Sequence, residues 1–390
     1  MDFEQNGITY TKVIKEGYLP PFRAQFGITP CAFMAAIAKR PLTNMKVVAA
    51  AQIGLSGGFG FSEEGYNTPK SAPVPFERFT IEPKDMYVNI GISNKVIKLG
   101  TETGGIFPAL KTEIEGAYKT AEWNTARALF GDGTGKLGTV AAATTTKQLK
   151  LDNVKNIKEG LVIDIYSGEA PKVEAVRIMF INRENNTLIL DRAVTASEGD
   201  FVVVQNSYKR ELTGLGCILN DDVDELYGIK KADNPIIVPT TVDANSTISD
   251  SVITAALRQS ERDKNGKADM IIAGDTAYDS YLEYMRTDSI RVEESTHEIT
   301  GGFKAIKFMH GNRLINIVND SFVPDTEMWG VETGAFQFQH TDWDFAQMSK
   351  SGNAFQLLEN KSVYRALLAN YGDLICSNPG GCFKIKNVTA

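Results

Sequence analysis

The segment Gly105–Lys136, GIFPALKTEIEGAYKTAEWNTARALFGDGTGK, runs a long amphipathic helical pattern straight into a glycine-rich turn. Pro108 suits the first helical turn, where its missing N–H would have no partner in any case, and Leu110, Ile114, Ala117, Ala121, Ala128 and Leu129 recur at helical spacing. At ~1.5 Å per residue, a helix over residues 108–130 is a rod of roughly 35 Å, longer than most globular helices. The chain is therefore organised along a spine.

The turn imitates a phosphate loop and fails its test at two positions. The register set by Gly135 and Lys136 puts Phe130 where the first glycine belongs and Leu137 where the magnesium-binding hydroxyl belongs. A phosphate loop also follows a strand, whereas Gly131, Gly133 and Gly135 follow a helix; they read as a helix cap and turn. The 390 residues, 43% hydrophobic and 23% charged, suffice for two or three subdomains. A net charge of −7 argues against a sequence-reading nucleic-acid binder. No signal-peptide pattern opens the chain and no run of about 18 apolar residues occurs, so neither secretion nor a membrane span is expected. Cys31, Cys217, Cys376 and Cys382 are too sparse for a disulfide framework and read as free thiols of a cytosolic product.

Residues 1–50 read as an arm with one helical candidate, Pro30–Lys39. From residue 51, glycines 54, 57, 58, 60 and 65 meet Pro69, Pro73, Pro75 and Pro83, which precludes a compact helix, while Phe76, Phe79, Met86, Tyr87 and Val88 favour extended chain. A hairpin with arms of ~12 residues would reach about 40 Å, farther than its own core requires. Residues 149–212 change to short β-branched runs with an Asn185-Asn186 turn, a β-rich insertion of barrel or sandwich type. Residues 248–286 predict a helix capped by Ser249 or Asp250, a buried MIIAG strand and a helix starting at Asp275, as in a sheet with helices on one face. Residues 303–318 read as a hairpin with a Gly-Asn turn, and Glu359–Asn370 as a short helix.

Strand alternation would place His340, Asp342 and Asp344 on one face, the one arrangement suited to a metal-dependent hydrolase. A polar outer strand face accounts for the same residues. The acidic run 220–225 lacks the ligand spacing of a calcium loop and reads as a solvated turn. No catalytic, cofactor-binding or metal-binding set is expected.

The order of these features resembles the tailed-phage major capsid protein family with the Hong Kong 97 fold. The likeness is carried by Ala128-Leu129-Phe130-Gly131-Asp132-Gly133-Thr134-Gly135 closing the spine, by the hairpin through Glu82-Pro83-Lys84-Asp85-Met86-Tyr87, by the strand-helix block near Ala268–Arg286, and by Gly301-Gly302-Phe303-Lys304. The resemblance implies an α+β chain with an N-terminal arm (1–50), an E-loop hairpin and its base (51–95), a first peripheral part (96–148) with spine helix 108–130, a β-rich insertion (149–212), and an axial domain with returning peripheral strands (213–390). It implies E-loop contact with a neighbouring copy through Gly57, Gly58, Phe59, Phe61, Pro69, Phe76 and Phe79, and a spine bearing Leu110, Ile114, Tyr118, Trp123 and Arg127. Arg23, Lys111, Lys119 and Arg127 are offered either to DNA or a neighbour, or to solvent as helix charges.

Expected partners are further copies as hexamers and pentamers, a separate scaffolding protein (no long helical prefix precedes the hairpin), a portal, a decoration protein, and double-stranded DNA enclosed without sequence specificity. The place is the virion, assembled in the bacterial host cytoplasm, with no membrane partner. Lys70 and Lys84 are the hairpin lysines at which family-type covalent crosslinking would be sought, although nothing in the sequence marks its acceptor. An encapsulin-like compartment and a tail-tube or adhesin subunit are the alternatives, beside the hydrolase.

Overall fold

The computed structural model describes residues 31–52, 54, 56–63, 67, 69–93, 106–220, 223–287, 305–345, 356–357 and 362–389. Most of the expected arm, including Arg23, lies outside them, as do the side chains of Leu110 and Lys111. Helix α1 (Ala32–Ala36) is shorter than its candidate, because Ile37 turns extended and leads into β1 (Ala38–Pro41). The hairpin is β2 (Val47–Gln52) with β3 (Phe76–Ile81), and β4 (Lys84–Ser93) follows. The expected boundary at residue 51 falls inside β2. The spine is α2 (Ile106–Phe130), 25 residues with Pro108 in its first turn. Of the apolar stripe, Ile114, Ala121, Ala128 and Leu129 are buried along it, as the helical spacing predicts, whereas Ala117 is half-buried; Tyr118 and Ala126, outside the stripe as read, are buried too.

The insertion comprises β5 (Lys136–Thr139), β6 (Gln148–Lys150), β7 (Val162–Ser167), β8 (Ala170–Asn182), β9 (Thr187–Leu190) and β10 (Phe201–Val204). Its strand order is β5-β10-β7-β8-β9-β6, and a bridge from Val140 to Leu151 joins the two end strands, so the sheet closes on itself as a small barrel. It starts at Lys136, earlier than the expected 149, because its first two strands are too short to show alternation. Its core is separate, built from residues such as Leu149, Ile163, Ile165, Ile178 and Leu188.

After the barrel come α3 (Leu215–Leu219) and the short pair β11 (Glu225–Leu226) and β12 (Ile229–Lys230). The unit expected as the axial domain is then assembled from β13 (Thr240–Ser246), α4 (Asp250–Lys264), β14 (Met270–Ala273), α5 (Asp275–Thr287), β15 (Ile306–His310), β16 (Arg313–Asn319) and β17 (Met328–Val331). Ser249 is the N-cap of α4 and Asn265 its left-handed C-cap at φ 52°, while Gly311 makes the tight turn of the β15–β16 hairpin at φ 58°. The chain closes with β18 (Phe336–His340), β19 (Asp344–Phe345), β20 (Gln356–Leu357), β21 (Val363–Cys376) and β22 (Phe383–Val388).

One six-stranded sheet has the order β13-β22-β17-β14-β16-β15. One face carries α4 and α5 over Ile271, Ile315, Ile317 and Phe383, as the sequence predicts. The other face, through Met270, Ile272, Val318 and Trp329, packs on the end of the spine, α1 and α3. A second sheet is built around β21, which pairs with β4 along one edge and with β18, β19 and β20 along the other. The helix expected over Glu359–Asn370 is therefore replaced, from Val363 onward, by a strand. ALLANY has helix-forming residues, but flanking strands on both edges capture its backbone donors and acceptors, and tertiary pairing overrides propensity.

Candidate assembly surfaces

The regular hairpin ladder stops at Gln52 opposite Phe76, so its paired arms have six residues each, not the expected twelve. Beyond it the two chains still run side by side. Ser56 Oγ donates to Ala72 O at 2.9 Å and Ser62 Oγ to Asn67 O at 3.3 Å. The glycines face the bulky partners: a Cβ on Gly54 would lie 3.0 Å from Pro75, on Gly57 3.1 Å from Ala72, and on Gly60 2.9 Å from Pro69. Glycine and proline thus end the ladder and let the two arms remain close without it.

Phe59 is 82% exposed, Phe61 95% and Phe76 61%, and the Phe59 and Phe61 rings meet edge to face at 5.3 Å. Gly57, Gly58 and Pro69 share this exposed excursion. Phe79 does not: its ring lies 6.0 Å from that of Tyr227, and Thr80 N–H donates to Tyr227 O, which ties the hairpin to the body. Met45 is 96% exposed, and Val48 and Tyr87 are exposed as well; Met45 did not stand out in the sequence, since a single apolar residue carries no periodic signal. Lys46 pairs with Glu82 across the hairpin at 2.7 Å. Lys70 is exposed, and Lys84 opposes Gly372 in the β4–β21 ladder.

Along the spine, Ile114 and Tyr118 are buried, Lys119 is exposed, and the half-buried Trp123 lies 6.2 Å from Phe322. Arg127 corrects the reading that it faces DNA, a neighbour or solvent. It is 6% exposed and makes a two-pronged ion pair with the buried Glu211 on the chain returning from the barrel. After the helix, Gly131 N–H donates to Ala128 O, and Gly133 and Gly135 adopt φ 80° and 78°. A Cβ on Gly135 would sit 2.8 Å from Ser207 O, so the glycine-rich turn is shaped by the two chain crossings into the barrel.

The metal reading is overturned. β18 ends at His340, Asp342 lies in the connection, and Asp344 begins β19, so no single strand face presents the three groups. The His340 ring stacks on Phe338 at 4.9 Å and donates from Nδ1 to Thr341 O. Among the described residues no group of three His, Cys, Asp or Glu side chains is arranged to hold a metal ion. All four cysteines are buried free thiols. Among the described residues no helix is long and apolar enough to cross a membrane.

Asp320 gives a pH prediction. Burial pushes its carboxyl up to about 6, against the pull of Phe322 N–H and Lys155, and with a further push from Asp275. A carboxyl raised in the folded state contributes stability that is full below its unfolded pKa and lost as pH rises through about 6. The difference corresponds to about 3 kcal/mol for this one group. Paired exposed carboxylates such as Glu82 and Glu159 are lowered and act with the opposite sign, so the readout is a difference between proteins. Relative to Asp320→Asn, the wild-type unfolding free energy should fall between pH 4.5 and 7; parallel curves from denaturant titrations would disprove the assignment.

No family model and no curated protein sequence matches the chain. Solved structures do match its fold. The capsid asymmetric unit of cyanophage A-1(L) aligns over 93% of this chain and 94% of its own, at 11% identity and a TM-score of 0.54. The SrpI encapsulin of Synechococcus elongatus PCC 7942, in its holo complex, aligns over 93% and 89% at 8% identity and a TM-score of 0.50. The chain has the Hong Kong 97 capsid fold.

Proposed function

We propose that this chain is the major capsid protein of a tailed double-stranded DNA bacteriophage, self-assembling as hexamers and pentamers into an icosahedral head. The observation that carries this reading is a capsid fold joined to an excursion whose Phe59, Phe61 and Phe76 side chains are left exposed by the subunit itself. Apolar surface of this kind is stabilised by transfer out of water, and a second copy of the chain supplies the cover. Repetition of a modest contact around a closed shell makes the whole stable. The role is structural, with no catalytic set required.

The same reading places the protein in the virion after assembly in the bacterial cytoplasm, beside a scaffolding protein, a portal and a decoration protein, around DNA held without sequence specificity. The net charge of −7 suits a container wall that must not grip its contents. Electron microscopy of the purified assembly tests the proposal: closed polyhedral shells are expected, and rods, fibres or persistent monomers at high concentration would overturn it. Shells recovered from the native source with a protein cargo and no DNA would instead favour the compartment reading that the encapsulin likeness raises.

A further inference from the structure

The barrel is not a loose appendage, because a segment outside its strands reaches two other parts of the subunit. The 153–160 loop follows β6 and is pinned to the barrel core by Val154 and Ile157, 4% and 1% exposed. Between these anchors, Lys155 N–H donates to Asn153 Oδ1 and its side chain leaves the barrel. Lys155 Nζ pairs with Asp325, lies 3.3 Å from Asp275 Oδ2, and donates to Val323 O at 3.1 Å. Asp275 opens α5, and Val323 and Asp325 belong to the chain between β16 and β17, so all three partners are axial. Three residues on, Lys158 Nζ sits 4.7 Å above the Trp123 ring of the spine. Trp123 in turn meets Phe322, which stacks on Phe130 at 5.6 Å. Barrel, spine and axial unit therefore converge on one short loop.

The charges at this junction are unequal. The axial side brings Asp275 and Asp325, with the buried Asp320 close enough to feel both Asp275 and Lys155. Lys155 is the cation shared among them, and it is supplied by a different folding unit. Its side chain is 20% exposed, so the contact is partly screened and salt can reach it.

We infer that the insertion barrel is an ionically latched brace, with Lys155 as the latch that fastens it across the junction to the axial unit, whose sheet is itself packed on the end of the spine. The barrel keeps its own closed sheet and core, so the latch can open without the barrel unfolding. At its other attachment the barrel remains joined to the spine through Arg127 and Glu211, which makes the axial side the one that is released.

Hydrogen exchange on the full chain tests this. Lys155→Met keeps the aliphatic stem and removes the charge; exchange over residues 320–327 and the first turn of α5 should rise about tenfold, with β7 and β8 unchanged. Lys172→Met, which breaks the Lys172–Asp200 pair inside the barrel, should leave 320–327 at the wild-type rate. A second arm needs no variant: raising salt from about 0.05 to 1 M should speed exchange at 320–327 in wild type more than in Lys155→Met. Unchanged protection of 320–327 in a Lys155→Met protein with an intact barrel overturns the inference. If that variant loses the barrel as well, the wild-type salt series alone decides, and no response at 320–327 overturns it equally.

Discussion

Arg127→Met is expected to destabilise the subunit by about 3–5 kcal/mol, because it strands a buried carboxylate. Glu211 is 9% exposed, and both of its oxygens are held by the Arg127 guanidinium. The arginine also lies in the last turn of the spine, where the helix dipole favours a cation. Removing it leaves Glu211 to be protonated, hydrated or expelled, and each course disturbs the crossing into the barrel. Glu211→Gln should be milder than Arg127→Met, since an amide is cheaper to bury than an unpaired carboxylate. The double variant Arg127→Met with Glu211→Met should recover most of the loss, as paired buried charges replaced by apolar groups often do. Denaturant titrations of the four proteins decide: a loss below ~1 kcal/mol for Arg127→Met would show that the pair carries little.

This pair also marks where sequence reasoning ended. The spine was legible because Ile114, Ala121, Ala128 and Leu129 repeat at helical period over many turns, and that signal survives any tertiary context. The α4–β14–α5 block was legible for the same reason, with Asn265-Gly266 as a plain stop. Arg127 was not, because a charge on a helix is usually solvated and its partner lies 84 residues away in sequence. The barrel was recognised as β-rich, but its start was missed, since KLGT and QLK of β5 and β6 are too short to alternate. β21 was partly misread as a helix because its Ala-Leu-Leu-Ala run has no local reason to be extended; the reason is β4 on one edge and three strands on the other. On the hairpin the breakers marked only extended chain; the resemblance named Phe59, Phe61, Phe76 and Phe79 together as contacts between copies, and the fold leaves the first three exposed while Phe79, half-buried, packs with Tyr227. Local patterns found the projecting element, and only the fold distinguished its anchored residue from its offered ones.

Phe59→Ser combined with Phe61→Ser should abolish shell assembly while leaving the subunit folded. Side chains 82% and 95% exposed have little burial to lose, so unfolding free energy should stay within ~0.5 kcal/mol of wild type. In a contact between copies the balance is different. Covering a phenylalanine is worth ~1.5–3 kcal/mol, so two removed per contact weaken it about a hundred- to ten-thousand-fold. Every subunit in a closed shell repeats the loss, and assembly depends on many such contacts at once. Deleting residues 57–60 should give the same result by shortening the excursion, and Gly58→Pro by disturbing the passage of chain past Lys70–Ala72. Sedimentation velocity should find only small species, and electron microscopy no polyhedra, at concentrations where wild type closes. Normal shells at wild-type yield from the double serine variant would remove the aromatic excursion from the assembly contact, and with it the observation on which the capsid proposal chiefly stands.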